Sequence, residues 1–314
     1  MESEPKLLIS VVIPCYKEAK HLPSLLAGVT AELAAIDCRS EIIIIDDGSP
    51  DETWQVLAAE AKRYSSLRAL RLSRNFGKEL ALCAGLEHAR GDAVVVMDGD
   101  GQHPPQLLPE MVRLWRSGAD IVEAVKTHRG PESFSGKMGA MLFYFGLNKM
   151  AGVNLKGVSD FKLMNRRALD AWLEMEERNV FFRGMTAWLG FTRVQVPFDV
   201  PGRVAGATGW SFPNRMKLAL TGISAFSSLP LQFVTVAGLL FFLFSIVFGF
   251  YTLVLQLSGH SVSGFATVIL LLLIIGSLLM LSLGIIGEYL ARIYEEVKRR
   301  PRYVIASTIE PEQT

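Results

Sequence analysis

Residues 6–20, KLLISVVIPCYKEAK, place a short run of β-branched and aliphatic side chains directly before a polar turn, and residues 41–52, EIIIIDDGSPDE, repeat the arrangement. Uninterrupted apolar runs of this length are the pattern of strands buried on both faces of a parallel sheet. Between them, His21–Ile36 carries Leu22, Leu25, Leu26, Val29 and Leu33 at helical spacing. Ser49-Pro50-Asp51-Glu52-Thr53 opens a second helix, since Ser or Asp can cap it and Pro suits a first turn. Leu67–Leu72 and Ala93–Met97 read as further strands, with a helix over Lys78–Ala89 between them. This alternation predicts an α/β domain with a mostly parallel sheet. Ligands of such sheets bind beyond the carboxyl ends of the strands, so the residues that follow each strand carry the chemistry.

After the first strand stands Pro14-Cys15-Tyr16-Lys17-Glu18, without the GxGxxG of a dinucleotide site. The second strand ends in Asp46-Asp47-Gly48-Ser49, and the fourth in Asp98-Gly99-Asp100-Gly101-Gln102. Carboxylates repel phosphate directly, but they accept hydrogen bonds from a base or ribose and can hold a divalent ion that holds phosphates. Asp98, Asp100 and Gln102 carry oxygens two residues apart on one loop, as the second role requires. A plain Asp-Gly turn is the alternative for that motif. His103, beside Gln102, is placed to touch an ion or ligand held by that loop, whereas His21, His88 and His128 read as surface residues. Cys15 is expected to pack, because no basic neighbour activates it.

At 314 residues the chain is long enough for about two domains. Its 32 Lys and Arg against 31 Asp and Glu leave a net charge of +1, which gives no nucleic-acid footprint. Three cysteines (Cys15, Cys38, Cys83) without CxxC spacing and five scattered histidines form neither a disulfide framework nor a zinc pattern. The opening MESEPKLL does not read as a secretory signal.

Charge is distributed unevenly. From Leu218 to Gly287 there is no Asp, Glu, Lys or Arg. Leu231–Gln256 and Phe265–Gly287 are each long enough, at about 1.5 Å per residue, to cross the roughly 30 Å hydrocarbon core of a bilayer. The polar turn Ser258–Gly264 separates them. Arg203, Arg215 and Lys217 precede the pair, and Arg292, Lys298, Arg299, Arg300 and Arg302 follow it. The positive-inside rule then puts both termini in the cytoplasm and the turn outside. A hairpin buried in a soluble core is the alternative, which so long a charge-free stretch disfavours. Two helices enclose no transport pathway, so the pair reads as an anchor. Phe134–Val153 and Pro213–Pro230 mix apolar residues with Lys and Arg, as interface helices or ordinary core helices do. Trp172, Phe181, Phe182, Trp188 and Phe191 are expected in the core or in helix packing rather than as stacking platforms for a ligand.

Val12-Ile13-Pro14-x-Tyr16-x-Glu18, Asp46-Asp47-Gly48-Ser49, Asn75-Phe76-Gly77-Lys78 and Asp98-x-Asp100-x-Gln102-x-Pro104-Pro105 together resemble the inverting family-2 glycosyltransferases of GT-A fold. Ser159–Arg166 and Arg203-x-x-Gly206-x-Thr208 narrow the resemblance to polyprenyl-phosphate glycosyltransferases, the dolichol-phosphate mannose synthases and bacterial undecaprenyl-phosphate transferases. The resemblance covers about residues 7–300. It implies a cytosolic GT-A domain (Rossmann-like, mostly parallel sheet) over 1–212, an amphipathic interface helix over 213–230, a transmembrane hairpin over 231–287 and a cytoplasmic tail over 288–314. It implies a UDP-sugar donor, most often of glucose, with GDP as the other nucleotide in play, and a polyprenyl phosphate acceptor at the plasma membrane. By the same resemblance Pro14, Tyr16, Glu18 and Asp47 line the uridine pocket, and Asp98 meets the ribose or diphosphate and the metal. Asp100 and Gln102 ligate Mg²⁺ or Mn²⁺, Arg203 meets the donor phosphates, and Asp160 is the catalytic carboxylate, as a base or as a positioner of the acceptor.

Two positions depart from the family pattern. Ile121–Lys126 stands where the family has Gly-x-Arg, so Lys126 is expected in that Arg's role. Gly209, followed by Trp210, replaces a family Lys, and Arg129 or Lys137 is expected to supply the acceptor-phosphate cation. A processive polysaccharide synthase would show a QxxRW motif and more spans, and neither is present. A non-catalytic nucleotide-binding anchor would have no need of Asp98, Asp100, Gln102 and Asp160. A homo-oligomer stays open as an assembly.

Overall fold

The computed structural model describes residues 6–127, 158–178, 180–199, 229–258 and 264–311. The chain divides into two compact units, residues 1–209 with 300–314, and residues 210–299.

The first unit is built on β1 (Leu8–Cys15), β2 (Arg39–Asp46), β3 (Leu67–Leu72), β4 (Ala93–Val96), β5 (Ile121–Lys126), β6 (Val158–Asn165), β7 (Arg193–Phe198) and β8 (Ile305–Ile309). They form one sheet in the order β7-β5-β6-β4-β1-β2-β3-β8. The expected parallel core is present: β1 lies between β2 and β4, and β2 pairs with β3, all in parallel. β6 runs antiparallel to both β4 and β5.

Alternation explains the continuous apolar runs. Val11 and Ile13 of β1, with Ile42 and Ile44 of β2, pack under α1 (Leu22–Ala34) and α4 (Leu108–Arg116). Val12, Ile43 and Ile45 face the opposite way, toward α3 (Lys78–His88) and α5 (Arg166–Leu173). Both faces of the central strands are covered, so the middles of β1 and β2 are buried on either side. α2 (Thr53–Ala61) begins later than expected: Ser49 and Pro50 stay outside it, and Asp51 accepts from Thr53 N and Oγ1 at 3.2 and 2.6 Å. Ser49 is not a cap. Its hydroxyl accepts Lys17 N at 2.9 Å instead, which ties two loops together.

The sequence reading missed β8. It follows the apolar hairpin in sequence and pairs antiparallel with β3, from Ala69↔Ile309 to Leu72↔Ile305. Arg68 pairs with Glu310 at 2.7 Å, and the Tyr303 hydroxyl hydrogen-bonds the Glu87 carboxylate of α3.

The second unit contains α7 (Leu229–Leu257) and α8 (Phe265–Val297). Val234–Leu255 and Ile274–Val297 are long and apolar enough to cross a membrane, and neither is buried by the protein. The second helix continues past Gly287, because Glu288 and Arg292 pair at i,i+4 spacing and nothing breaks it before Arg299, at φ 48°. The expected interface segments Phe134–Val153 and all of Pro213–Pro230 before Leu229 lie outside the described residues.

Candidate active site

Three loops meet at the carboxyl ends of β1, β2 and β4. Asp47 N donates to Cys15 O at 3.0 Å, and Thr53 Oγ1 accepts Glu18 N at 3.1 Å, so the β1 and β2 loops are joined. Lys17 adopts φ 60°, an uncommon conformation for a side-chain-bearing residue, and those bonds hold it there. The Asp47 carboxylate accepts Phe76 N at 2.7 Å and Gly77 N at 2.9 Å, which fixes the segment that opens α3. Burial raises the Asp47 pKa and these two backbone bonds partly offset it. Gly48 sits at φ +64°, and a Cβ there would stand 2.5 Å from the Arg74 carbonyl carbon. Only glycine fits that crossing.

Pro14, Tyr16, Glu18, Asp47, Asp98 and Asp100 line one cavity of about 340 Å³. That size suits a small-molecule ligand. Gly99 lets the β4 loop close onto β1, where an added Cβ would meet Pro14 O at 3.2 Å. Gln102 N donates to Asp100 Oδ1 at 3.0 Å, and Asp98 N donates to His103 Nδ1 at 2.9 Å. His103 is therefore buried beneath the carboxylate loop and holds its backbone.

The residues of this loop fit a divalent ion. Asp98 Oδ1 is buried and meets Lys78 Nζ at 2.5 Å as an ion pair, yet no donor is aligned on it as a hydrogen bond. Among the described residues no three His, Cys, Asp or Glu side chains form a metal cage. An incomplete set of hard oxygens suits Mg²⁺ or Mn²⁺, whose remaining positions go to water and substrate phosphates.

Asp160, on β6, is held by two cations. Arg183, on α6 (Phe182–Trp188), donates from Nε to Oδ1 at 2.5 Å and from Nη2 to Oδ2 at 2.8 Å. Lys78 Nζ donates to Oδ2 at 2.6 Å. Burial alone would raise the Asp160 pKa, but the Arg183 and Lys78 partners outweigh it and hold the carboxyl well below the usual range. Burial lowers the Lys78 pKa and the two carboxylates more than reverse that, so the ammonium stays charged. α6 is docked by a second pair as well: fully buried Lys162 donates to Thr186 Oγ1 at 2.8 Å and to Glu123 Oε1 at 3.3 Å.

The structure thus gathers Pro14, Tyr16, Glu18, Asp47, Asp98 and Asp100 at one cavity and links Asp160 to it through Lys78. Lys126 is half-buried at the end of β5; burial and the Arg183 charge push its pKa down, while Asp98 and Asp100 pull it up. Gln102 does not line the cavity; its backbone braces Asp100. Arg129, Lys137 and Arg203 lie outside the described residues. Sequence reading gave Lys78 no role although Asn75–Lys78 was visible as a motif, and it missed Arg183, which no spacing links to Asp160. Trp188 is 66 % exposed rather than packed, whereas Trp172 and Phe182 are core residues.

The family model described as Glycosyl transferase family 2 matches residues 10–173. A Synechocystis protein described as an uncharacterized glycosyltransferase is 37 % identical over 300 residues, covering 95 % of this chain and 94 % of that one. The prophage-derived bactoprenol glucosyl transferase of Shigella flexneri is 35 % identical over 302 residues, 95 % of this chain and 97 % of its own. Glucosyl-3-phosphoglycerate synthase of Mycobacterium tuberculosis, solved with phosphoglyceric acid, superposes with a TM-score of 0.50 at 22 % identity, covering 70 % of this chain and 80 % of that one. That last likeness is one of fold.

Proposed function

The chain belongs to glycosyl transferase family 2, and from that premise we propose that it moves a sugar, glucose in the first instance, from a UDP-sugar to a polyprenyl phosphate at the cytoplasmic face of the plasma membrane. The observation that carries this reading is the cavity of Glu18, Asp47, Asp98 and Asp100 at the strand ends, in a chain that also has two membrane-length apolar helices. The name of the Shigella relative, a bactoprenol glucosyl transferase, supports a lipid acceptor and glucose.

A nucleotide-sugar brings its own activated leaving group, so the enzyme's main task is to bind and neutralise a departing diphosphate. Asp47 and Glu18, which line the cavity, are proposed to meet the nucleoside, where carboxylates accept from base N–H or ribose hydroxyls. Asp98 and Asp100, with Gln102, would hold Mg²⁺ or Mn²⁺, which neutralises the charge of the leaving diphosphate when bound. Lys78 adds a fixed positive charge beside Asp98. Arg203 and Lys126 are proposed to reach the donor phosphates, and Arg129 and Lys137 the acceptor. Direct displacement on one face inverts the anomeric centre, so an α-linked donor gives a β-linked lipid.

Connectivity supports the membrane topology. The chain leaves the sheet-bearing unit by residue 209 and is back in its sheet at β8. A segment that returns to its starting side crosses a bilayer an even number of times. Two spans and a cytoplasmic domain with both termini on one side satisfy that, and the flanking Arg and Lys give the side. The proposed organisation is a GT-A domain over 1–212, an interface helix over 213–230, a hairpin over 231–287 and a cytoplasmic segment over 288–314.

The test is transfer by the purified full chain, using undecaprenyl phosphate and a panel of radiolabelled nucleotide-sugars. Lipid-soluble label is expected from one UDP-sugar, abolished by EDTA and restored by Mg²⁺ or Mn²⁺. Label from no donor overturns the reading; transfer that survives EDTA overturns the metal assignment.

A further inference from the structure

We infer that Arg183 binds the phosphate monoester of the acceptor and that Asp160 is the residue that positions it, an assignment that rests on the transfer reaction proposed above. Four charges alternate in sign along one line of contacts. Asp98 meets Lys78 at 2.5 Å, Lys78 meets Asp160 at 2.6 Å, and Asp160 meets Arg183 at 2.5 Å. The series begins at the wall of the donor cavity and reaches a guanidinium that does not line it. The Arg183 side chain is 37 % exposed, whereas Asp160 is 5 % exposed. The carboxylate is a buried anchor and the cation is the part that solvent reaches.

Arg183 engages Asp160 through Nε and Nη2, a bidentate grip that fixes the plane of the guanidinium. That edge is taken by the carboxylate, and a phosphate would meet the remaining N–H groups, on Nη1 and Nη2. Lys126, at the end of the neighbouring β5, is pressed toward neutrality by burial and by the Arg183 charge. Lys126 closes β5 beside the amino end of the antiparallel β6 that carries Asp160, and an anion bound there relieves the repulsion between Lys126 and Arg183.

The chemistry needs no base at Asp160. A phosphate monoester is largely dianionic near neutral pH, with a second pKa of about 6. Its oxygen forms the new bond to the anomeric carbon, and the bond from that carbon to the leaving diphosphate breaks. The electron pair of the broken bond goes to the β-phosphate oxygen, the monoester dianion becomes a diester monoanion, and no proton moves. Asp160 already receives donors from Lys78 and Arg183, so its lone pairs are committed to aiming Arg183. Both reacting phosphates are anionic. The series places a cation for each, with the buried Asp160 between those cations.

The test uses the full chain in detergent, with Arg183→Gln and Arg183→Lys beside wild type. KM is measured separately for undecaprenyl phosphate and for the donor, and UDP–Mn²⁺ binding by calorimetry. Arg183→Gln is expected to raise the acceptor KM at least about tenfold, the scale of losing charge-assisted hydrogen bonds, while UDP–Mn²⁺ affinity stays within about twofold of wild type. Inorganic phosphate should compete with the acceptor in wild type and lose that ability in Arg183→Gln. Arg183→Lys keeps the charge and is expected to fall between the two, and it carries the comparison should the Gln variant not fold. A rise in donor KM, a loss of UDP binding, or unchanged acceptor KM overturns the assignment while leaving the transfer reaction standing. Wild type that labels no lipid removes the reaction itself.

Discussion

His103 Nδ1 accepts the backbone N–H of Asp98 at 2.9 Å, while its ring lies nearly parallel to Phe161 with centroids 5.0 Å apart. The first contact closes residues 98–103 into a ring; the second fastens that ring to the strand bearing Asp160. An imidazole nitrogen that accepts an N–H carries no proton, so the buried His103 is neutral with its hydrogen on Nε2. Burial pushes its pKa down, in keeping with that state. His103, expected to touch a ligand, is buried beneath the loop proposed to hold the metal and supports its backbone.

His103→Phe keeps the stacking on Phe161 and removes the acceptor, leaving the Asp98 N–H without a partner. An unmet buried donor costs about 1–3 kcal/mol, so the loop should loosen and UDP–Mn²⁺ affinity should fall by about tenfold or more. His103→Asn places an amide oxygen near the position of Nδ1 and should recover part of the loss. Equal affinities for the Phe and Asn variants in calorimetry would show that the hydrogen bond is not what holds the loop.

Asp160 gives a pH signature. Its folded pKa lies below the ordinary 3.8, so its stabilising contribution is present above that value and is lost as pH falls through the lower folded value. Between about pH 5 and 9 the carboxylate stays ionised, and neither stability nor turnover should show an acid limb from it. Asp160→Asn should lower Tm at pH 7, by less than the ~3–5 kcal/mol of a fully buried pair, since the cations it leaves, Lys78 and Arg183, are 43 % and 37 % exposed. The gap between variant and wild type should narrow only below about pH 4. Thermal melts of both proteins across pH check the sign, and a gap that closes between pH 7 and 5 would contradict it.

What the sequence made legible follows from local physics. Leu67–Leu72 is a strand as read, and β1, β2 and β4 agree within a few residues, because apolar runs and the loops after them are encoded locally. The donor side of the site was legible for the same reason, as Asp47, Asp98 and Asp100 follow strands. Arg183 and β8 were not. Arg183 reaches Asp160 across 23 positions of chain, a contact made by docking a short helix. β8, IASTI, is only five residues long, follows the apolar hairpin instead of another strand–helix unit, and is a strand because β3 offers an open edge. Ser49 misled for a related reason: its hydroxyl serves a neighbouring loop rather than its own helix.

Deleting Val304–Thr314 tests whether that edge matters. Ala69, Leu70 and Leu72 are buried with β8 in place, and removal leaves an unpaired, largely apolar strand edge of the kind that aggregates. In a domain of this size each kcal/mol moves Tm by about 2–4 °C. A fall of at least about 5 °C is expected, with higher-mass species in size exclusion. A truncated protein with wild-type Tm and mass would make β8 dispensable.

Topology is tested by thiol labelling. Cys38→Ser removes the one partly accessible native thiol, as Cys15 and Cys83 are buried. A cysteine at Ser261 should then react with an impermeant maleimide on intact cells, and one at exposed Ser307 only after lysis. The reverse pattern would invert the orientation read from Arg and Lys.

Asp100→Asn separates the metal from the rest of the site. Asp100 is exposed on the loop after β4 and, among the described residues, its carboxylate accepts from Gln102 N alone, so Tm should change by no more than about 1–2 °C. The amide removes an anionic oxygen from the proposed ion site. Metal affinity should fall at least about tenfold, the loss that even an outer-shell partner costs. Because the loss is one of affinity, raising Mn²⁺ should restore transfer in part, and the apparent UDP affinity should recover in parallel. Asp160→Asn should gain nothing from added metal, since its partners are Lys78 and Arg183. Titrating Mn²⁺ against transfer rate and UDP binding for both variants makes the comparison. If raised Mn²⁺ rescues Asp160→Asn as well as Asp100→Asn, or rescues neither, the division of the site into a metal loop and an arginine-held carboxylate is wrong.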